Sequence, residues 1–337
     1  MSRAAAHESR WKWWTAGAAC LLAACLLAGL AGCGFIREPQ AEAPATFVLP
    51  PPEAGHLRWN NDPTLAFSPD GSRLAYLVFQ EDGSRQIHVR NLALGSTRPV
   101  PGTEGGDTPF FSPDGRWLGF FADGSLKKAA LSGGDAVTLT PKATNLRGAS
   151  WGPNSNIVFN LTDSDVLYEV SSEGGEPKQL TTLGEGEKSH RWPQFLPDGS
   201  AVLFTIALTD NPDDSQIAAL RLDSGEKKIL VRGGTFGRYA TTGHLVYHRG
   251  GAGGGAILAV GFSSAALEVT GMPTPVAEGI LGSPPDTLTG VAQFTFSTTG
   301  SLAYVLPEQA GGVSEVYEIH VWPNWFEELK RTVAAGQ

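Results

Sequence analysis

Short hydrophobic runs separated by tight-turn sequences follow one another along most of the chain. One unit begins with LAFS at residues 65–68, turns at Pro69-Asp70-Gly71, and returns as RLAYLVF at residues 73–79. Proline fixes φ at the first turn position, aspartate bonds its own backbone, and glycine accepts positive φ. The pattern therefore predicts antiparallel hairpins and an all-β fold.

The turn sequence recurs at a nearly constant spacing. Its copies are Ser68-Pro69-Asp70-Gly71, Ser112-Pro113-Asp114-Gly115, Gly152-Pro153-Asn154-Ser155, Leu196-Pro197-Asp198-Gly199, Ala240-Thr241-Thr242-Gly243 and Ser297-Thr298-Thr299-Gly300. We call the second residue of each copy the reference residue of its repeat. Successive reference residues are 44, 40, 44, 44 and 57 residues apart. This period is typical of a propeller blade, with one long insertion before the last copy.

Two columns of aromatic residues fall into line with these turns. The first aromatic column lies two residues before each reference residue and consists of Phe67, Phe111, Trp151, Phe195, Tyr239 and Phe296. The second aromatic column lies in the strand after each turn and consists of Tyr76, Phe120, Phe159, Phe204, Tyr247 and Tyr304. Both columns are aromatic in all six repeats, which fixes the register of the repeat.

Each repeat has room for two further strands, such as residues 86–90 and 98–100 in the first repeat. The sequence therefore predicts a six-bladed β-propeller with four-stranded antiparallel blades over residues 46–322. The repeats are expected near residues 57–106, 107–145, 146–189, 190–234, 235–289 and 290–321. We interpret both aromatic columns as the apolar core between neighbouring blades.

The last repeat lacks an outer strand, and residues 46–49 (TFVL) are expected to supply it. Such closure removes the exposed sheet edges that invite aggregation. After Trp322-Pro323-Asn324 an amphipathic segment begins, so residues 323–337 are predicted to form a short C-terminal helical tail.

Residues 13–36 carry no charge and follow Arg3, Arg10 and Lys12. A helix of this length, at about 1.5 Å per residue, crosses a bilayer core of about 30 Å, and the basic residues keep its start cytoplasmic. Alternatively, Leu30-Ala31-Gly32-Cys33 matches the lipobox of a lipoprotein signal, in which Cys33 becomes acylated. Both interpretations of residues 1–36 predict a membrane-anchored, extracytoplasmic protein, periplasmic or at the cell surface. Residues 37–45 are expected to be a linker.

Composition narrows the possible partners. The chain of 337 residues has a formal net charge of −9, and no basic patch lies beyond its N-terminus. A nucleic-acid-binding surface requires clustered Lys and Arg, so no nucleic-acid partner is expected. The three cysteines, Cys20, Cys25 and Cys33, all lie within the first 33 residues. The propeller is therefore expected to contain neither a disulfide nor a cysteine metal site.

The SPDG turns, the LAY or LGF strands after them, and the GG before the fourth strand resemble the repeats of TolB-like and WD-repeat-like propellers. PGTEGGDTPFFSPDGRWLGFF and GGTFGRYATTGHLVYHRG are similar to the extracytoplasmic propellers of some bacterial membrane serine/threonine kinases. Arg37-Glu38-Pro39 follows the hydrophobic run in the order that those kinases use, which favours the membrane span over the lipobox. This resemblance implies a sensor-like propeller. The sequence contains no H-R-D, no D-F-G and no glycine-rich nucleotide loop with its lysine, so no kinase activity is expected.

No catalytic motif stands in a suitable context. Gly148-Ala149-Ser150-Trp151-Gly152 matches the G-x-S-x-G pattern of a hydrolase, but that motif needs a helix after the strand and here a turn follows. His244 and His248 are four residues apart, but they lie on a predicted strand, where this spacing does not give the helical face of a metal-binding pair. We therefore expect no enzyme, no metal and no cofactor.

A binding site is expected at the channel mouth opposite the turns, where outer strands lead into the next inner strands. The sequence places five candidates there: Asp107, Arg147, His190, Arg191 and Arg238. Our first hypothesis is a non-catalytic, monomeric propeller that binds a protein, peptide or cell-envelope ligand through this face. The alternatives are a metal-dependent propeller hydrolase of the lactonase type and an orphan remnant of a receptor kinase.

Overall fold

Six antiparallel sheets of four strands each account for the described part of the chain. The computed structural model describes residues 46–58, 62–144, 147–161, 166–250, 255–283, 289–307 and 317–335. In every sheet the strands are hydrogen-bonded in sequence order, apart from the first strand of the chain, which joins the last sheet. The predicted all-β class and the six four-stranded blades are therefore confirmed.

The first three blades follow one another along the chain. Blade 1 contains β2 (Leu65–Phe67), β3 (Arg73–Phe79), β4 (Arg85–Asn91) and β5 (Thr97–Glu104). Blade 2 contains β6 (Asp107–Phe111), β7 (Trp117–Ala122), β8 (Ser125–Ala130) and β9 (Val137–Pro141). Blade 3 contains β10 (Ala149–Trp151), β11 (Asn156–Asn160), β12 (Leu167–Ser171) and β13 (Lys178–Gln179).

The other three blades complete the ring. Blade 4 contains β14 (Ser189–Phe195), β15 (Ala201–Ala207), a 3-10 turn (Pro212–Asp214), β16 (Gln216–Arg221) and β17 (Lys227–Arg232). Blade 5 contains β18 (Thr235–Ala240), β19 (His244–Arg249), β20 (Gly255–Ser263) and β21 (Glu268–Ile280). Blade 6 contains β22 (Phe294–Phe296), β23 (Leu302–Pro307), β24 (Tyr317–Trp322) and, from the start of the chain, β1 (Phe47–Val48).

The first and last strands close the ring. Phe47 and Val48 pair with Val321 and His320, and the Leu49 N–H donates to the carbonyl of Ile319 at 2.8 Å. This pairing confirms that residues 46–49 supply the outer strand of the last blade. Leu49 itself is buried in the cluster between blades 6 and 1.

The second aromatic column forms the core between blades, as the sequence predicts. Five of its members are at most 3% exposed, and Tyr304 packs at the edge of its cluster. The first aromatic column packs in the same clusters, but Trp151, Tyr239 and Phe296 stay partly exposed. These three rings therefore also present surface outside the core between blades.

The repeated turns use the left-handed backbone conformation that their glycines predict. Gly71, Gly115 and Gly199 have φ of 71°, 66° and 71°, and in the third repeat Ser155 takes the same place with φ 60°. In the first copy the Asp70 carboxylate accepts from Ser68 Oγ at 2.6 Å and from the Ser72 N–H at 3.0 Å.

A short helix follows the last blade, as predicted. Helix α1 (Trp325–Ala335) buries Trp325, Phe326, Leu329 and Val333 and contacts β20 and β21. The hydrophobic helix or lipobox expected within residues 1–36, with Cys33, lies outside the described residues. Within the part of the chain that the structure describes, no helix is both long and apolar enough to span a membrane.

Candidate functional site

The inner strands of all six blades surround a central cavity of about 200 Å³. Prolines, aromatic rings and small side chains line most of it. Arg238 is the single charged side chain among the lining residues that the structure describes. This cavity, which we call the channel, is the candidate site.

A bulge in each of several inner strands sets which side chains face the channel. Five residues before the reference residue, Thr108, Trp192 and Phe236 have φ of 51°, 55° and 56°, and Gly148 has φ 85°. The pairing of β6, β14 and β18 with their neighbours shifts register at these positions. Because a bulge re-aims the residues beside it, it positions the next part of each inner strand against the channel.

In blades 1 and 6 the residues at the same position, five before the reference residue, are Thr64 and Gln293, and they are hydrogen-bonded to each other. Gln293 Oε1 accepts from the Thr64 N–H at 3.0 Å and from Thr64 Oγ1 at 2.8 Å. Gln293 Nε2 donates to the carbonyl of Asp62 at 2.7 Å. This contact lies at the junction where the first and last blades meet.

Three residues before each reference residue, every repeat contributes a channel-lining side chain. These residues, the channel positions, are Ala66, Phe110, Ser150, Gln194, Arg238 and Thr295. Three of them accept a hydrogen bond from the backbone of the next blade. Ser150 Oγ accepts from the Phe195 N–H at 3.0 Å, Gln194 Oε1 from the Tyr239 N–H at 2.6 Å, and Thr295 Oγ1 from the Phe67 N–H at 3.4 Å.

These bonds leave the channel rich in hydrogen-bond donors. The oxygens of Ser150, Gln194 and Thr295 each already accept one bond, whereas their O–H and N–H groups have no acceptor among the described residues. Thr108 Oγ1 also lines the channel and is buried without a partner among the described residues. Unused donors around a cavity favour a ligand that accepts hydrogen bonds.

Arg238 gives the channel a positive charge. Its Nη1 donates to the carbonyls of Trp192 at 2.9 Å and Gly237 at 3.0 Å, and its guanidinium carbon lies 3.8 Å from the centroid of the Phe236 ring. Desolvation lowers the pKa of Arg238 to about 9, so the side chain remains protonated at neutral pH. No carboxylate among the described residues forms an ion pair with it.

On the turn side the channel widens into a mouth of about 430 Å³. All six residues of the first aromatic column line this mouth, together with Pro69, Pro113, Pro153, Pro197 and Phe326 of α1. Interpreting this column as core alone is therefore incomplete, because its rings form both the inter-blade packing and the wall of the mouth.

On the opposite side the described residues form an apolar plug. The ring of Phe236 packs between two others: its centroid lies 5.7 Å from that of Trp192 and 5.3 Å from that of Phe294. Val291 and Ala292, from the long insertion before the last repeat, are fully buried in the same cluster.

Of the five residues predicted from sequence, Arg238 lies in the channel and the others bond to the protein around it. Asp107 is buried, accepts from the Thr108 N–H at 2.8 Å, and lies 3.3 Å from Arg85 in a separate pocket. The Arg147 carbonyl accepts from the Trp192 N–H at 2.8 Å, and the Arg147 Nε is buried without a partner among the described residues. Their predicted role in ligand binding stays a prediction.

His190 belongs to a buried network between blades 3 and 4. Its Nδ1 lies 2.7 Å from Thr181 Oγ1, and its Nε2 lies 2.9 Å from Glu187, which also pairs with Lys227 at 2.6 Å. Burial lowers the pKa of His190 below its ordinary value, although Glu187 opposes the shift. Its neighbour Arg191 donates from Nη1 to the carbonyl of Thr289 at 3.0 Å, which ties blade 4 to the long insertion.

Four channel-lining residues were not predicted as site residues from the sequence: Thr108, Ser150, Gln194 and Thr295. Their common signal was available in the repeat register, three or five residues before the reference residue. Ser150 also clarifies the G-x-S-x-G match, because it lies in β10 and its Oγ caps the next blade. Among the residues that the structure describes, no group of three or more His, Cys, Asp or Glu side chains is placed to hold a metal ion.

Comparison with known proteins places these features in context. No family model matches the chain. It is 26% identical over 200 residues to "Uncharacterized peptidase YuxL" of Bacillus subtilis, a match that covers 44% of this chain and 30% of that protein. It is 27% identical over 186 residues to "Dipeptidyl-peptidase 5" of Porphyromonas gingivalis, covering 49% of this chain and 26% of that protein. The chain thus spans less than a third of the length of these curated relatives.

The fold also matches a solved TolB. The crystal structure of TolB from Acinetobacter baumannii aligns with a TM-score of 0.50 and 19% identity, over 59% of this chain and 52% of TolB. The TolB-like fold that the repeats predict is therefore confirmed at the level of structure. The expectation of no enzyme is wrong on this comparison, because both of these curated relatives carry peptidase names.

Proposed function

We propose that this propeller binds the carboxylate of a peptide in its central channel and thereby serves peptide recognition in a peptidase-type protein. Arg238 carries the proposal, because its protonated guanidinium is the single charge among the described residues that line the channel and has no carboxylate partner among them. A cation in such surroundings is best compensated by an anion from outside, and a guanidinium matches the geometry of a carboxylate.

The neighbouring channel positions support an anionic ligand. Ser150, Gln194 and Thr295 use their acceptors on the next blade and keep their donors for the channel. A carboxylate has acceptors only, so it is complementary to this set of donors. The relatives with peptidase names favour a peptide as the source of that carboxylate.

The apolar plug on one side and the aromatic mouth on the other define the expected path. The C-terminal end of the peptide enters through the turn-side mouth, passes the first aromatic column and stops at Arg238. An aromatic wall suits the preceding side chains, because rings bury large apolar area at little cost in rotamer entropy.

Titration calorimetry of the full chain with a short peptide as its free acid and as its C-terminal amide tests the proposal. The free acid is expected to bind at least about tenfold more tightly, which corresponds to about 1.4 kcal/mol. Arg238→Gln is expected to remove this difference, and Arg232→Gln, at an exposed arginine in the outer strand of blade 4, serves as the matched control. Equal affinity for acid and amide in the wild-type protein contradicts the proposal.

A second ligand separates the peptide from another source of carboxylate. An oligosaccharide of uronic acids presents the same charge without a peptide backbone. If it binds in an Arg238-dependent way and the peptide acid does not, the peptide assignment is overturned. Mass spectrometry of the peptide after incubation tests whether the full chain also cleaves it.

The proposal includes an extracytoplasmic location, which rests on the sequence of residues 13–36 and on Cys33. The mass of the mature N-terminus tests it. An acylated Cys33 indicates a lipoprotein, an intact Met1 indicates a spanning anchor, and release of the protein with the cytosolic fraction contradicts both.

A further inference from the structure

A second cavity, of about 270 Å³, lies at the junction of blades 2 and 3 on the turn side. We call it the blade 2–3 groove. Its lining includes Pro113, Trp117, Lys128, Trp151, Pro153 and Glu173. The side-chain hydrogen bonds of Arg238 go to Trp192 and Gly237 and not to these residues.

The groove and the turn-side mouth form one continuous surface. Pro113, Trp151 and Pro153 line both of them. Trp151 belongs to the first aromatic column and is partly exposed, so its ring forms the boundary between the two cavities. A chain that leaves the mouth past Trp151 enters the groove directly.

Comparison of equivalent positions among the repeats explains why the surface opens at this junction. Four residues after the reference residue stand Arg73, Trp117, Ile157, Ala201, Leu245 and Leu302. The last four are fully buried. Arg73 crosses from blade 1 to blade 2, where its Nη1 donates to the carbonyl of Gly115 at 3.3 Å. Trp117 makes no such crossing and instead forms part of the groove wall.

The groove combines aromatic surface with unused donors. Lys128 is 6% exposed, its Nζ lies 4.9 Å from the centroid of the Trp117 ring, and it pairs with the Glu173 carboxylate at 3.0 Å. An ammonium has three N–H groups, so Lys128 retains donors beyond this pair. The indole N–H groups of Trp117 and Trp151 have no acceptor among the described residues. These groups are complementary to the carbonyls and apolar side chains of an extended peptide.

We infer that the blade 2–3 groove binds the part of the peptide that precedes the residues held in the channel. This inference rests on the proposed function, because the carboxylate at Arg238 fixes one end of the ligand and Trp151 leads the rest into the groove. Lys128 and the two indoles donate to peptide carbonyls, and the ring of Trp117 packs against a side chain. The groove thereby makes affinity depend on peptide length.

The test measures the affinity of the full chain for free-acid peptides of increasing length by titration calorimetry. Affinity is expected to rise by about tenfold once the peptide is long enough to reach Trp117. This gain is the size of the loss that usually follows when an aromatic residue is truncated in an interface. Trp117→Ala is expected to abolish this rise while leaving the affinity for the shortest peptide and the preference for acid over amide unchanged. Arg73→Ala, at the same repeat position outside the groove, is the matched control.

A second variant guards against misfolding. Lys128→Gln removes the ammonium but keeps a side chain of similar length, and it is expected to reduce the same rise. Affinity that does not depend on length, or a rise that survives in both variants, overturns the inference while the channel site stands. Failure of every free acid to bind refutes the proposed function, and the groove assignment falls with it.

Discussion

The guanidinium carbon of Arg238 lies 3.8 Å from the centroid of the Phe236 ring, two residues earlier on the same strand. Phe236 has φ 56°, a left-handed conformation that side chains other than glycine rarely adopt. The bulge at Phe236 thus both builds the apolar plug and turns the cation toward the channel. The fold holds a strained backbone at the point where its site carries charge, which is a common property of functional sites.

The conformation of Phe236 predicts an unusual order of stabilities. In an ordinary strand, alanine is more stabilising than glycine by about 0.5–1 kcal/mol. At φ 56° glycine carries no steric cost, so Phe236→Gly is expected to unfold at a urea concentration equal to or higher than Phe236→Ala. The same pair at Phe204, which is buried and is not among the residues with positive φ, should show the ordinary order. Alanine more stable than glycine at position 236 contradicts the strain argument.

Ring closure predicts a contrast between Val48, the last residue of β1, and Leu49, which follows it. Leu49 is 4% exposed in the cluster between blades 6 and 1, whereas Val48 is 44% exposed. Leu49→Ala is expected to lower the free energy of unfolding by about 2–5 kcal/mol. Val48→Ala should change it by less than about 0.5 kcal/mol. Similar effects of the two substitutions, measured by urea denaturation, would show that the closing strand contributes little packing.

His248 predicts acid sensitivity. Burial lowers its pKa from the ordinary value of 6.5 to about 4, although the neighbouring Asp213 opposes the shift. Above pH 6.5 neither state binds the proton and the full stability is present. Between pH 6.5 and 4 the His248 side chain is protonated in the unfolded chain but stays neutral in the folded protein. The free energy of unfolding should therefore fall by about 3 kcal/mol over this window, at about 1.4 kcal/mol per pKa unit.

Urea unfolding at a series of pH values measures this effect. His248→Asn should be less stable at neutral pH, because the histidine ring fills space beside Gly255 and Gly282. Its stability should nevertheless vary less between pH 6.5 and 4 than that of the wild-type protein. His56→Asn, at an exposed histidine, is the control and should retain the wild-type pH profile.

Gln194 predicts a way to block the channel without loosening the ring. Its Oε1 caps the Tyr239 N–H at 2.6 Å, and its amide nitrogen is the group available to the channel. Gln194→Glu preserves the cap but places a carboxylate in the same cavity as Arg238. Thermal stability is expected to stay near that of the wild-type protein, whereas binding of the peptide acid should fall by at least about tenfold, or about 1.4 kcal/mol.

Gln194→Leu provides the converse control, because it leaves the Tyr239 N–H without its acceptor. It should lose about 1–3 kcal/mol of stability and keep the preference for acid over amide. Undiminished binding by Gln194→Glu would place the ligand carboxylate away from this part of the channel.

The sequence predicted the blades well because each one repeats the same local rules. Turn chemistry set the hairpins, and the second aromatic column identified the core. The channel was harder to predict, because a side chain such as Gln194 faces it only after a bulge whose position no local motif marks. His190 and Arg191 stand in the predicted part of their repeat, yet their bonds to Glu187 and Thr289 depend on loops that differ between repeats.

The bonds from Ser150, Gln194 and Thr295 to the next blade divide the channel positions into two kinds. At these three, truncation of the side chain removes both a channel-lining group and a link between blades, so recognition and assembly are coupled. Arg238 links back to blade 4 through its bond to the Trp192 carbonyl, whereas the side chains of Ala66 and Phe110 make no hydrogen bond between blades. A propeller of this design can therefore acquire a new ligand by mutation at the channel positions of blades 1 and 2, while the links made by the channel positions of blades 3 to 6 keep the blades in register.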